Sequence, residues 1–265
     1  MTVIAVVEAS NVIVLGFVAS LCASAGTAVG SLGVLFISRL SRKLEDGLLS
    51  VAAGIMLAAT FFSLLLPGLE YAGMQHGELL SVGIVSAGLL LGAMTLFSIH
   101  QHVPHEHFQL GREGREATEL SRIWLFVIAI TLHNFPEGMA VGVGFAGGEL
   151  SNGLPLTLGI GLQNIPEGLA VSVALLSVGY EKTQAVLFAA LTGLVEPIGG
   201  LLGAVAVSSA AALMPWALAF SAGAMLFIIS DEIIPETHSA GNKNLATFSL
   251  LVGFVIMMIL DAVIG

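Results

Sequence analysis

The feature that most constrains this chain is a series of eight long apolar stretches joined by mostly short polar connections. A helix needs about 20 mainly apolar residues to cross a bilayer, and the stretches span roughly 9–38, 47–70, 79–100, 122–146, 154–179, 184–208, 214–235 and 245–264. Only 10% of the 265 residues are charged and 56% are hydrophobic, which excludes an ordinary water-soluble or disordered chain. We therefore predict an all-α, polytopic membrane protein with eight transmembrane helices in one domain, 1–265.

The basic residues predict the orientation of these spans. All eight of them fall in alternate connections: Arg39, Arg42, Lys43, Arg112, Arg115, Arg122, Lys182 and Lys243. Because Lys and Arg accumulate in cytoplasmic loops, we expect these connections in the cytoplasm and both termini outside. The net charge of −10 is not typical of a nucleic-acid-binding protein. The lipid bilayer and cations are the expected partners.

Two near-copies of one polar motif lie inside the fourth and fifth spans. Residues 133–138 read HNFPEG and residues 163–168 read QNIPEG, and seven of eleven aligned positions are identical. His133 and Asn134 share a helical face with Glu137, as Gln163 and Asn164 do with Glu167, because residues three or four apart are neighbours on a helix. We expect each proline to break its helix and free a carbonyl, as in many transporters. The following glycine would let another helix approach closely.

Three acids would lie at membrane depth. Glu196 precedes Pro197 in span six and joins Glu137 and Glu167, whereas no Lys or Arg lies inside a span. Each ionised acid at a span centre costs about 2.5–3.5 kcal/mol on insertion scales. A bound cation, protons or water must therefore compensate these charges.

The residue types favour a transition-metal cation. One imidazole with carboxylates and amide oxygens suits Zn²⁺, Fe²⁺, Mn²⁺ or Cd²⁺, whereas Ca²⁺ would not require His133. The absence of a thiolate from the motifs argues against Cu⁺, although Met56 in span two offers a thioether. The metal would be cargo, and we expect no prosthetic group.

These motifs resemble those of the ZIP (Zrt/Irt-like) family of divalent metal transporters, and the chain is similar to the bacterial GufA-like or ZupT-like members. The resemblance implies that a set of matching positions forms a centre with two adjacent metal sites: His133, Asn134, Glu137, Asn164, Glu167 and Glu196. It places Gln163 where many members have His and Met56 at the transport site. It also implies a 3+2+3 arrangement with inverted repeats, elevator-like motion, a homodimer and a bacterial inner-membrane location.

We expect this chain to import zinc, and possible alternatives are iron, manganese or cadmium. A proton-coupled antiporter or exporter could use the same carboxylates, because ligand chemistry does not encode direction. An intramembrane metalloenzyme would need an open metal position and a general base, as in H-E-x-x-H, and that motif is absent. No Walker A motif indicates ATP-driven pumping. The chain is therefore not expected to be an enzyme.

Two polar regions outside these motifs are open to more than one interpretation. The connection 100–121 carries His100, His102, His105 and His107, which could capture or sense metal in the cytoplasm or could simply be solvated. Asp231, Glu232, Glu236 and His238 surround Pro235 at the end of span seven. They could line the inner exit of the transport path, but a charged helix end at the membrane interface is the favoured interpretation.

Deletion of residues 102–107 tests the role of this connection. We expect the deletion to change the rate or regulation of metal transport without abolishing it, because the predicted intramembrane ligands remain. Radioactive zinc uptake into reconstituted vesicles measures this. Complete loss of uptake by a correctly inserted protein would show that the connection is part of the transport path.

Overall fold

A computed structural model describes residues 3–37, 39–102, 105–107, 111–113, 122–145, 150–177, 179–239 and 241–264. Its helices are α1 (Val3–Ser31), α2 (Arg42–Ala59), α3 (Leu66–Gln75), α4 (Glu78–His102), α5 (Arg122–Gly144), α6 (Leu150–Ser177), α7 (Lys182–Gly193), α8 (Val195–Ser209), α9 (Met214–Ile228), α10 (Ile234–Ser239) and α11 (Lys243–Ile264). Short 3₁₀ helices cover Leu32–Leu35 and Ala211–Leu213, and π-helical segments cover Thr60–Leu65 and Ile229–Ile233.

The predicted all-α membrane fold is confirmed. Within the described residues, seven helical segments are long and apolar enough to cross a membrane, and α5, with 23 residues, occupies the place of the predicted fourth span. The observed helix ends lie within several residues of the predicted ones. The structure adds a small hairpin in the predicted loop, where β1 (His105–His107) pairs antiparallel with β2 (Gly111–Glu113). In addition, α4 continues to His102, so His100 is not part of that loop.

The basic residues lie where helices begin. Arg42, Arg122, Lys182 and Lys243 are the first residues of α2, α5, α7 and α11. The Asn242 side chain donates a hydrogen bond of 2.9 Å to Asp46, which places the starts of α2 and α11 together. We call the end of the bundle that carries these four residues the basic end.

The helices that carry the two motifs are continuous. The prediction that Pro136 and Pro166 break their helices is wrong, because α5 and α6 run unbroken through them. A proline removes only one donor, and packing on neighbouring helices retains the rest of the turn. The interruption lies instead at Leu194, a turn residue between α7 and α8, two residues before Glu196.

Spans two and seven share an unusual construction. In each, an α-helix passes through a π-helical segment and continues as a short α-helix whose second residue is proline: Pro67 in α3 and Pro235 in α10. π-helical turns are rare and often mark functional positions. The closest helix pairs match in the same way, since α2 packs on α11 as α4 packs on α9, and α1 packs on α6 as α5 packs on α8. A repeat in which spans six to eight correspond to spans one to three would produce these matching helix contacts.

The glycine after each motif glutamate permits a close helix contact, as predicted. A Cβ added at Gly138 would lie 2.0 Å from the backbone oxygen of Glu196 in α8. A Cβ at Gly168 would lie 2.1 Å from the backbone oxygen of Thr27 in α1. Small residues allow such backbone approach between membrane helices, and the contacts place both motifs inside the helix bundle.

Replacement of Gly168 by Ala should destabilise the protein, because the new methyl group would overlap the α1 backbone. Overpacking of this kind costs about 1–3 kcal/mol, which should lower the melting temperature in detergent by several degrees. Gly83→Ala in α4 is the matched control, since no atom lies within 4 Å of the added Cβ. Equal melting temperatures for the two variants would contradict the contact.

Candidate metal centre

A cavity of about 60 Å³ lies between α2, α5, α6 and span seven. Met56, His133, Glu137 and Glu167 line it, so the structure brings together four of the residues predicted from sequence. One buried water needs about 10–15 Å³, so the cavity has room for an ion with some of its hydration. The geometry follows from the helices, because His133 and Glu137 lie one turn apart on α5 while α6 presents Glu167.

The electrostatics of this cavity favour a cation. Glu137 is almost completely buried, and its carboxylate is close enough to those of Glu167 and Glu196 to be repelled by both. The imidazole of His133 is an electrostatic neighbour of Glu167. No lysine or arginine is among the residues that line the cavity. The excess negative charge therefore has no lysine or arginine in the cavity wall to balance it.

Several buried polar atoms at this place lack a hydrogen-bond partner in the part of the chain that the structure describes. They include Oε2 of Glu137, Oε1 of Glu167 and both amide atoms of Asn134. Buried polar atoms in folded proteins nearly always have a partner. An imidazole, two carboxylates and the thioether of Met56 form a ligand set that suits Zn²⁺ or Cd²⁺. The unsatisfied polar atoms and the types of donor atom both indicate a bound metal cation.

The remaining predicted residues lie behind the cavity wall. Asn134, Gln163, Asn164 and Glu196 are buried, but none of them lines the cavity. The Asn164 amide donates a 3.0 Å hydrogen bond to each carboxylate oxygen of Glu196. The structure therefore separates the predicted set into four cavity residues and four residues next to them.

A second cluster adjoins the cavity. The Glu232 carboxylate contacts Nε2 of His100 at 3.0 Å through one oxygen and Nε2 of His133 at 2.5 Å through the other. All three side chains are buried, and one ligand atom from each lies within 4.8 Å of the others, a spacing that could hold a metal ion. His133 is thus shared between the cavity and this cluster.

The cavity lies in the half of the bundle nearer the basic end. Leu49 near the start of α2 and Glu236 and Thr237 in α10 complete its lining on that side. Toward the opposite end, the neighbouring residues belong to the buried apolar core, including Ile55 and Ile160. The lining toward the basic end therefore includes the polar side chains of Glu236 and Thr237, whereas the neighbours named on the opposite side are apolar.

Comparison with known proteins gives the family. The profile of the ZIP zinc transporter family matches residues 99–261. Zinc transporter GufA of Myxococcus xanthus is 46% identical over 251 residues, which cover 94% of this chain and 99% of that protein. This chain belongs to the ZIP zinc transporter family. The resemblance inferred from the two motifs is thereby confirmed.

Other ZIP relatives are similar over most of their length. Zinc transporter ZIPB of Bordetella bronchiseptica is 44% identical over 243 residues, covering 91% of this chain and 78% of that protein. Human zinc transporter ZIP11 is 34% identical over 321 aligned positions, covering 90% of this chain and 94% of that protein. The similarity therefore extends across the ZIP chain and is not limited to the two motifs.

Sequence reasoning missed two residues that this ZIP structure places beside the cavity. The sequence pattern predicts His100 in the polar loop, but it lies in the last turn of α4 and is only 3% exposed. The same pattern favours an interfacial position for Glu232, but the π-helical segment buries it. The available signal was an acid three residues before Pro235 inside an apolar run, but hydropathy alone does not reveal a π-helical turn.

Replacement of His100 by Ala tests the second cluster of the ZIP chain. We expect zinc or cadmium binding at the cluster to weaken by about tenfold or more, because outer partners of a metal site alone contribute 10–100-fold. His102→Ala is the control, since that imidazole lies two residues away and is exposed. Calorimetric titration measures both variants. Identical binding isotherms would show that His100 does not contribute to metal binding.

Proposed function

We propose that this chain imports divalent transition-metal ions, zinc foremost, through a membrane site formed by Met56, His133, Glu137 and Glu167. The observation that carries the proposal is a cavity lined by four acids and an imidazole but by no lysine or arginine. Family membership supports it, as do relatives that are named zinc transporters. Iron, manganese and cadmium fit the same donor atoms.

Each ligand has a distinct part in this proposal. Glu137 and Glu167 neutralise the double charge of the ion, which replaces some of its lost hydration energy. His133 supplies a nitrogen donor that favours transition metals over Mg²⁺ and Ca²⁺, which prefer oxygen ligands. The thioether of Met56 is a soft donor and favours cadmium and zinc over the hard cations.

The position of the cavity indicates which side of the membrane the site faces in this state. The positive-inside rule places the basic end in the cytoplasm, and the cavity lies nearer that end with apolar core beyond it. We interpret this arrangement as an inward-facing state. A membrane potential that is negative inside would favour import by about 2.3 kcal/mol per charge per 100 mV.

The second cluster lies on the proposed release route. An ion that leaves Glu137 and Glu167 toward the basic end would next meet Glu232, which already contacts His133. His133 can accompany the ion over this step, because its imidazole belongs to both groups of ligands. Glu236 lies further along the same wall. The route therefore offers donor atoms at each step and avoids a bare ion in an apolar environment.

Alternating access requires one group of helices to move against another. The close glycine contacts join α1 with α6 and α5 with α8 in one group, and α2 with α11 and α4 with α9 in the other. The cavity lies between these two groups, since α5 and α6 contribute His133 and Glu167 while α2 contributes Met56. An elevator-like displacement of the first group would carry its ligands past Met56 and Glu232.

Replacement of Glu167 by Ala should abolish zinc uptake into vesicles while the protein remains folded and inserted. The loss of one carboxylate leaves the ion with uncompensated charge and one ligand fewer. Glu78→Gln is the control, because Glu78 is exposed at the start of α4, outside the cavity. Uptake is measured with an inside-negative potential and no proton gradient.

Two outcomes would count against the proposal. Near-normal uptake by the Glu167 variant would remove that residue from the transport site. The antiporter alternative would be favoured if the unmodified protein moves zinc only outward, and only when an inward proton gradient is present to drive the exchange.

A further inference from the structure

The π-helical turns of spans two and seven are built in the same way. Each follows an α-helix whose last hydrogen bond is shared, because the N–H of Thr60 in span two and that of Ile229 in span seven each point at two carbonyls. Each turn ends with a hydrogen bond that reaches five residues back, from Leu66 to Phe61 and from Ile234 to Ile229. A turn closed in this way holds one residue more than an α-helical turn.

A proline directly follows each π turn, Pro67 in α3 and Pro235 in α10. Because proline has no N–H, one helical hydrogen bond is missing there whether the preceding turn is π or α. A change of register at this place therefore breaks fewer hydrogen bonds than it would in the middle of an ordinary helix. An α-helix has about 3.6 residues per turn, so a shift of one residue rotates the following helix by about 100°.

The short helices that follow the π turns lie toward opposite ends of the bundle. α10 leads to the basic end and packs on α2, whereas α3 packs on α9, where a Cβ added at Gly68 would lie 3.5 Å from the Cβ of Leu218. Glu236 and Thr237 of α10 line the cavity. Residues 60–75 are all described by the structure, and none of them lines it. Only the short helix at the basic end therefore forms part of the cavity wall in this state.

Polar contacts hold the end of α10. Nε2 of His238 lies 3.2 Å from Oγ1 of Thr247 on α11, in an exposed position where water can replace the contact at small cost. Gly241, in the connection from α10 to α11, has a φ of +83°, which glycine adopts without strain. By contrast, Ala72 of α3 belongs to a buried apolar cluster. α10 is therefore the short helix that can turn more easily in this state.

We propose that the two π turns are hinges, and that α10 and α3 are gates at opposite ends of the transport route that move when the preceding turn changes register between π and α. This proposal rests on the proposed function and adds two moving elements to the helices around Met56. In the observed state, the π turn Ile229–Ile233 directs Glu236 and Thr237 into the cavity wall. Its conversion to an α-helical turn would rotate both side chains away from the cavity and withdraw their oxygen atoms from the route.

Deletion of Ser230 tests the hinge in span seven. Ser230 is an exposed residue of the π turn, and its removal leaves an α-helical turn between α9 and α10 in their present orientation. The deletion should therefore lock the gate at the basic end. We expect calorimetry to give an unchanged cadmium affinity, and zinc uptake into vesicles to fall about tenfold or more, because a locked gate limits turnover. Ser230→Ala is the matched control, since it removes the same side chain but retains the additional residue, and both values should stay unchanged.

A distance measurement on the full-length protein tests the rotation itself. Cys22→Ser removes the chain's one cysteine, and Lys43→Cys with Ser239→Cys then places spin labels on two exposed positions, near the start of α2 and at the end of α10. Pulsed electron paramagnetic resonance measures the distance between the labels with and without zinc. We expect two populations whose ratio changes with zinc, and a single population when Ser230 is also deleted.

The outcomes separate the hinge from the proposed function. Normal uptake by a folded Ser230 deletion variant, or a single distance that zinc does not change, would overturn the hinge and leave the proposed function intact. Equally slow uptake by Ser230→Ala would also overturn it, because the side chain and not the register would then matter. Absence of zinc uptake by the unmodified protein would instead remove the proposed function. If the deletion variant does not fold, the distance measurement still decides the question.

Discussion

The structure depends on how this ZIP chain keeps negative charge inside a membrane protein. Glu137, Glu196, Glu232 and Asp46 are each at most 2% exposed, and an ionised acid removed from water is stable only when another group compensates its charge. All eight lysines and arginines lie at span ends or in connections, so they cannot serve the acids in the span interiors. The arrangement of the polar residues follows from this shortage of basic partners.

The protein meets this requirement differently at each acid. Asp46 lies at the basic end and pairs with Arg42 at 3.1 Å, and Asn242 donates to its other oxygen. Glu196 accepts from the amide of Asn164, and Glu232 lies between two imidazoles. The cavity wall provides no lysine or arginine for Glu137 and Glu167, and the cavity that these two acids line has room for an ion. Function is therefore assigned to the acids that the protein leaves uncompensated.

The sequence predicted the spans and the shared face of His133 and Glu137, because both depend on local patterns. Apolar stretches give the helices, and the repeated motif places His133 and Glu137 on one face through helical spacing. The position of His100 could not be derived in this way, because only the packing of α4 against α9 brings it to Glu232. The continuity of α5 through Pro136 also depends on tertiary contacts, which local propensity does not include. The separation of Asn164 and Glu196 from the cavity likewise results from the close contact of α1 with α6.

Anomalous X-ray diffraction from crystals grown with cadmium tests the central claim most directly, because it locates the ion without reference to transport. We expect a strong peak in the cavity, within bonding distance of His133, Glu137 and Glu167. Ordered water or a hydrogen-bonding side chain in that cavity, with cadmium found only at the protein surface, would contradict the account.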